Sequence, residues 1–262
     1  MFSHASLLVL IVAAATAMPA AAEAAAPGHF ARHVLSHAGQ THRYQVFVPS
    51  RHAEGLPLPV ILFLHGSGER GDDGDKQVQV GLGPYVRGNL RDFPALVVFP
   101  QSHEGESWEG TTADAAIAAL EESIDTYGGD RKRIYLSGIS RGGYGTYAVA
   151  MAQPGRFAAL VPVCGGITVP RPQESLHVRA TATHAEPFAA AARRLKSIPT
   201  WIFHGALDDL VPPQQSRRMF AALQEVGGNV RYTEFAEANH NAWDAAYRHD
   251  PMWAWLFAQR LP

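Results

Sequence analysis

Beyond about residue 30 the chain alternates two hydrophobic patterns. Short segments rich in apolar, β-branched or aromatic residues at 44–48, 60–64, 96–99, 134–137, 160–163, 200–203 and 230–235 predict strands, and several of them are apolar on consecutive positions, as expected of strands buried on both faces. Between them, Ile117, Leu120, Ile124 and Tyr127 share one helical face, and Phe220, Leu223 and Val226 share another. Strand and helix taking turns predicts a mostly parallel central sheet with helices on both faces, the α/β class. One stretch breaks the rhythm: 167–186 carries Pro170, Pro172, His177 and His184 and is too long for an ordinary connection. It reads either as a lid or substrate loop, or as a surface insertion without function.

The amino terminus has a different texture. The apolar run 7–15 is too short to span a bilayer and is followed by Pro19 and the small residues Ala20, Ala21 and Ala22. We read 1–22 as a signal peptide and 23–262 as a single domain, which predicts a secreted or periplasmic protein without stable membrane insertion. The region before the apolar run holds His4 but no Lys or Arg, so an uncleaved anchor or a plain alanine-rich leader is the alternative. Composition narrows the partners. With 18% charged residues, a formal charge of -2 and a pI near 6.7, the chain has no field to gather nucleic acid, and a neutral or weakly polar substrate fits better. Cys164 is the single cysteine, so no intrachain disulfide contributes to the fold.

The candidate chemistry begins at Gly138-Ile139-Ser140-Arg141-Gly142, which follows the 134–137 strand and leads into a helical run through Tyr144, Tyr147 and Met151. Gly-x-Ser-x-Gly between strand and helix is a nucleophile elbow, in which a sharp turn presents the serine hydroxyl at the helix N-terminus. A serine hydroxyl needs a histidine to take its proton, and that histidine needs a carboxylate to hold its tautomer. On such a sheet the chain order is Ser, then Asp or Glu, then His. Asp208, in the loop after the 200–203 strand, is the predicted acid, with the adjacent Asp209 as its rival. His240, after the last predicted strand, is the predicted base. Of the 13 histidines only His240 and His249 follow the acid loop, and His249 falls in a predicted helix. The oxyanion hole is expected to pair the amide of Arg141 with that of Ser67, or alternatively Gly68, from the loop after the 60–64 strand. His65 and Glu69 are expected to shape that loop.

Taken together, His65-Gly66-Ser67-Gly68-Glu69-Arg70-Gly71, Pro100-Gln101 with Trp108, the elbow, Cys164-Gly165-Gly166, the 204–212 loop and His240-Asn241-Ala242-Trp243 resemble the peptidase and esterase branch of the α/β-hydrolases. The resemblance lies near dienelactone-hydrolase-like, polyhydroxybutyrate-depolymerase-like and feruloyl-esterase-like enzymes. The resemblance implies an α/β-hydrolase fold with Ser140, Asp208 and His240 as a triad. It leaves the substrate open, because Arg141 stands where such proteins often carry an apolar residue or Gln.

These features predict a serine esterase working through an acyl-enzyme, since an alkoxide leaves more easily than an amine. The expected substrate is a small-molecule or polysaccharide-linked ester. A serine peptidase and a non-catalytic binding protein on the same scaffold are the alternatives. No cofactor or metal is expected: the sequence has no His-Glu-x-x-His and no cysteine pair, and His29, His33 and His37 read as solvated surface beside the leader. Trp108, at the end of a polar segment, is a candidate substrate-binding residue, or alternatively packs its loop onto the core. Trp243, Trp253 and Trp255 are expected in the core.

Overall fold

In a computed structural model, residues 1, 26–50, 52, 55–170 and 176–262 are described. The expected signal peptide lies outside the described residues except for Met1. Eight strands form one sheet: β1 (His29–His37), β2 (Gln40–Val48), β3 (Leu58–Leu64), β4 (Leu96–Pro100), β5 (Gly129–Ile139), β6 (Ala159–Val163), β7 (Thr200–Gly205) and β8 (Val230–Phe235). The spatial order is β1-β2-β4-β3-β5-β6-β7-β8. β1 and β2 form an antiparallel hairpin, β2 pairs antiparallel with β4, and the pairings from β4 through β8 are parallel.

Seven helices are described: α1 (Leu82–Arg87), α2 (Thr111–Tyr127), α3 (Arg141–Ala152), α4 (Pro187–Leu195), α5 (Gln214–Glu225), α6 (Trp243–Tyr247) and α7 (Asp250–Phe257). The period of two along β3 shows how they divide. Val60, Leu62 and Leu64 point into a core closed by α2, α3, α4 and α5, whereas Ile61 and Phe63 point into one closed by α1, α6 and α7. All seven residues of β3 are buried, which is why the strand reads as an unbroken apolar run.

β1 is absent from the sequence prediction. It is an edge strand with exposed and half-buried positions, and it carries the three histidines read as solvated surface. His33 is in fact ordered, stacked on Tyr44 with ring centroids 4.9 Å apart and hydrogen-bonded to the Tyr127 hydroxyl at 2.9 Å. The hairpin that brings β1 onto β2 turns at Ala38 and Gly39, both at positive φ (51° and 77°). Among the described residues, no helix is long and apolar enough to cross a membrane.

Candidate active site

The site lies at the carboxyl ends of β3, β5, β6 and β7, where open α/β sheets place their ligands. β5 ends at Ile139 and α3 begins at Arg141, leaving Ser140 between them at φ 53° and ψ −118°. That conformation is costly for a residue with a side chain and persists only where the surroundings impose it. The imposition is steric. A Cβ on Gly142 would lie 1.9 Å from the Leu64 carbonyl oxygen, and one on Gly138 would lie 2.2 Å from the Gly142 carbonyl oxygen. Only glycine on both sides lets strand, turn and helix close this tightly. The Ser140 amide is tied to the Val163 carbonyl at 2.9 Å, fixing the elbow to β6.

The three predicted residues meet there. The Ser140 hydroxyl donates to His240 Nε2 at 2.9 Å, and His240 Nδ1 donates to Asp208 Oδ2 at 2.7 Å. These are hydrogen-bonding distances between charged or polarisable groups, with the imidazole tautomer set by the carboxylate. Asp208 is buried and its other oxygen accepts from the Leu210 and Val211 amides, each at 2.9 Å. Burial pushes the Asp208 carboxyl up, but hydrogen bonds from His204, His240 and Val211 outweigh it and hold the group well below the usual carboxylate range. Asp209 is exposed, so burial and contact single out its neighbour. His249 packs instead against Trp201, Phe203 and Phe235.

The loop after β3 forms the opposite wall. Ser67–Glu69 is a single 3₁₀ turn, so the Ser67 and Gly68 amides belong to a first turn without intrahelical partners, as does the Arg141 amide at the start of α3. His65 lies beneath this loop, fully buried. Its Nδ1 donates to the Gly66 carbonyl at 2.7 Å, and its Nε2 accepts the Ser102 amide at 3.1 Å. In a planar trans peptide the C=O and N–H point opposite ways, so pinning the Gly66 carbonyl downward turns the Ser67 amide upward. Burial lowers the His65 pKa to about 4, which keeps the ring neutral. Glu69 is pushed up by burial, partly offset by the Gly66 amide and its own amide.

Ser140, Arg141, Glu69, Ile139, Leu210 and Trp243 line a cleft of about 390 Å³ together with Pro170 and Leu176, from either side of the undescribed 171–175. Pro170 and Leu176 of the irregular 167–186 region therefore border the same cleft as Ser140. Arg141 Nε donates to the Ser67 hydroxyl at 3.0 Å, joining the start of α3 to the loop after β3.

The tryptophans divide between the core and the cleft, and Trp108 takes the packing alternative. Trp108 does not line this cleft: it is 1% exposed, its indole N–H donates to the His65 carbonyl at 3.0 Å, and its ring meets the His65 ring edge to face at 4.9 Å. The space for it comes from Gly145, where a Cβ would lie 2.5 Å from the Trp108 Cβ. The polar indole nitrogen is thus bonded to the backbone at the start of the loop after β3. Trp243, expected in the core, packs against its edge and is half-buried, lining the cleft with its ring 5.5 Å from that of His240 and nearly perpendicular to it, at 84°. Trp253 and Trp255 are buried as expected.

Cys164, His204 and Asp208 come within 4.8 Å of one another, the spacing of a metal-ligand set. Their chemistry does not fit one. Burial pushes the Cys164 thiol far up and keeps it protonated, and both His204 nitrogens are engaged, with Ser216 at 2.6 Å and with Asp208 at 3.1 Å.

Relatives share this framework. A protein of Arthroderma benhamiae described as an uncharacterized secreted protein is 28% identical over 200 residues, covering 70% of this chain and 21% of that one. A poly(3-hydroxyoctanoate) depolymerase of Pseudomonas fluorescens is 27% identical over 197 residues, covering 67% of this chain and 66% of its own length. The crystal structure of a thermostable esterase superposes with a TM-score of 0.70 at 30% identity, over 88% of this chain and 63% of that one. The chain thus spans about a fifth of the first of these proteins and under two thirds of the esterase. Residues 102–260, more than half the sequence and including all three residues of the hydrogen-bonded line, match the prolyl oligopeptidase family, and the chain belongs to that family of α/β-hydrolases.

Proposed function

We propose that the protein is a secreted or periplasmic serine esterase. The observation that carries this reading is the unbroken line from Ser140 Oγ through His240 to Asp208, at 2.9 and 2.7 Å. In the proposed cycle Ser140 attacks the ester carbonyl while His240 Nε2 takes the hydroxyl proton. The Ser67 and Arg141 amides stabilise the oxyanion. His240 then returns the proton to the departing alkoxide, leaving an acyl-enzyme that water hydrolyses with His240 again as base. Asp208 holds the tautomer and the charge of His240 and itself stays ionised.

An ester is preferred over an amide because alkoxide departure asks less of the single general acid here. The open, largely apolar cleft suits the acyl chain of a small-molecule or polysaccharide-linked ester. The family match keeps a peptidase as the second reading.

The test compares p-nitrophenyl acetate and butyrate with the corresponding peptide p-nitroanilides, in the wild type and in Ser140→Ala. The expected result is ester turnover at least a hundredfold above anilide turnover in kcat/KM, reduced by about 10⁴-fold or more in the variant. Preferential anilide cleavage would move the assignment to peptidase. Failure of the folded wild type to react with a fluorophosphonate would move it to a binding protein.

A further inference from the structure

His204 is the penultimate residue of β7, four residues before the acid, and is fully buried, yet every polar atom of its ring is matched. Nε2 faces two acceptors, Asp208 Oδ2 at 3.1 Å and the Val211 carbonyl at 2.9 Å. A nitrogen between two acceptors carries a hydrogen. Nδ1 lies 2.6 Å from the Ser216 hydroxyl on α5, which donates to it. Asp208 Oδ2 therefore sits between two imidazoles, the buried His204 and the partly exposed His240.

We propose that His204 is a positioning residue for the acid: it locks the Asp208 carboxylate in rotation and takes a share of the charge on the oxygen that faces His240. The inference rests on the triad reading above. A ring present only to fill space would need neither bond, and an apolar side chain there would leave a buried carboxylate oxygen with one donor fewer. The other groups around this pair are the protonated Cys164 thiol at the end of β6 and Glu234 on β8, which is ion-paired with Arg217 of α5 and bonded by Tyr232. Glu234 is held low, by Arg217 first, so it stays a carboxylate and its charge is balanced. None of these replaces the His204 donor.

The sign of the effect follows. With His204 donating, His240 faces a partly neutralised oxygen. Without it, the full carboxylate charge acts on the His240 imidazolium and favours protonation. His204→Phe, which keeps the ring volume, is expected to move the acid limb of kcat/KM upward by about 0.5–1 pH unit. It is also expected to lower the plateau about tenfold as the carboxylate loses its orientation. His204→Gln, whose amide can donate from near the Nε2 position, is expected to bring the limb and plateau most of the way back.

A folded His204→Phe enzyme with an unmoved acid limb and a plateau within twofold of wild type overturns the proposal. Imidazole ¹⁵N chemical shifts of the wild type provide an arm that needs no variant: a His204 proton on Nε2 at neutral pH supports it, and an unprotonated Nε2 overturns it. A wild type inert to fluorophosphonate would instead remove the esterase reading, and the ¹⁵N result would still decide how His204 meets Asp208.

Discussion

The floor of the cleft and its rim are built under different constraints. On the floor, Ser140 and Asp208 are tied to backbone groups, His204 is bonded to the Val211 carbonyl, His240 is held between Ser140 and Asp208, and glycines stand where any side chain would collide. On the rim, Arg141, Glu69, Leu210 and Trp243 lean over the same opening, and Leu210 is exposed. A constrained floor suits a fixed reaction, because reacting atoms must be held to fractions of an ångström. A rim whose side chains stay outside the line from Ser140 to Asp208 suits variable substrates. Substitutions on the floor should therefore act on kcat, and those on the rim on KM and on the ranking of acyl groups.

The largest contrast is between neighbours. Asp208→Asn keeps the bulk of the buried acid but removes the acceptor that fixes the His240 tautomer, and kcat on p-nitrophenyl acetate is expected to fall about 10³- to 10⁴-fold. Asp209→Asn, one residue away and exposed, is expected to leave kcat within twofold. Equal losses from the two would undo the contrast in burial and contact on which the assignment of the acid rests.

Much of the floor is legible in the sequence because its constraints are local and covalent. A strand, two glycines around a serine and a helix specify an elbow whatever the rest of the chain does, and the order of acid and base follows from the sheet. What is not legible is the direction in which a large side chain turns. Trp108 and Trp243 each follow a short polar loop, and nothing in period or composition separates the indole under the oxyanion loop from the one on the cleft wall. A partial signal does exist for Trp108: Gly145, inside α3, is a helix position where glycine is unfavourable unless something bulky lies against it. His204 was read only as part of its loop, since its role depends on two partners, Asp208 and Ser216, that only the folded strand and helix bring together. β1 escaped for another reason. An edge strand half open to water lacks the apolar run that reveals its buried neighbours.

His65 belongs to the floor although it touches no substrate, and its burial gives a measurable pH dependence. Its pKa is lowered to about 4 in the folded chain. Between the ordinary histidine value of about 6.5 and that lowered value, the unfolded chain binds a proton that the native ring refuses. Stability is therefore full above about pH 6.5 and falls as the pH drops toward 4, by roughly 3 kcal/mol from this one group. Urea unfolding across that range should show the slope. His65→Asn, which can still donate to the Gly66 carbonyl, should flatten it while lowering the stability at neutral pH. An unchanged slope in the variant would place the acid sensitivity elsewhere.

The smallest effect is expected at Trp243, and it discriminates most finely. The ring lines the cleft and stands nearly perpendicular to that of His240, so two roles compete: an apolar surface for the acyl chain, or a brace for His240. An acyl surface contributes by burial. Losing part of an indole contact is worth about 1 kcal/mol, or roughly a fivefold rise in KM. The rise should be larger for p-nitrophenyl butyrate than for the acetate, because only the longer chain reaches the ring. A brace contributes by orientation, and its loss would lower kcat for both esters alike. Trp243→Ala is expected to raise KM for butyrate with kcat within threefold. Trp243→Phe, which retains an aromatic face, should recover most of the affinity. A fall in kcat of a hundredfold at constant KM would move Trp243 from the rim to the floor, where the line between reaction and specificity would have to be drawn again.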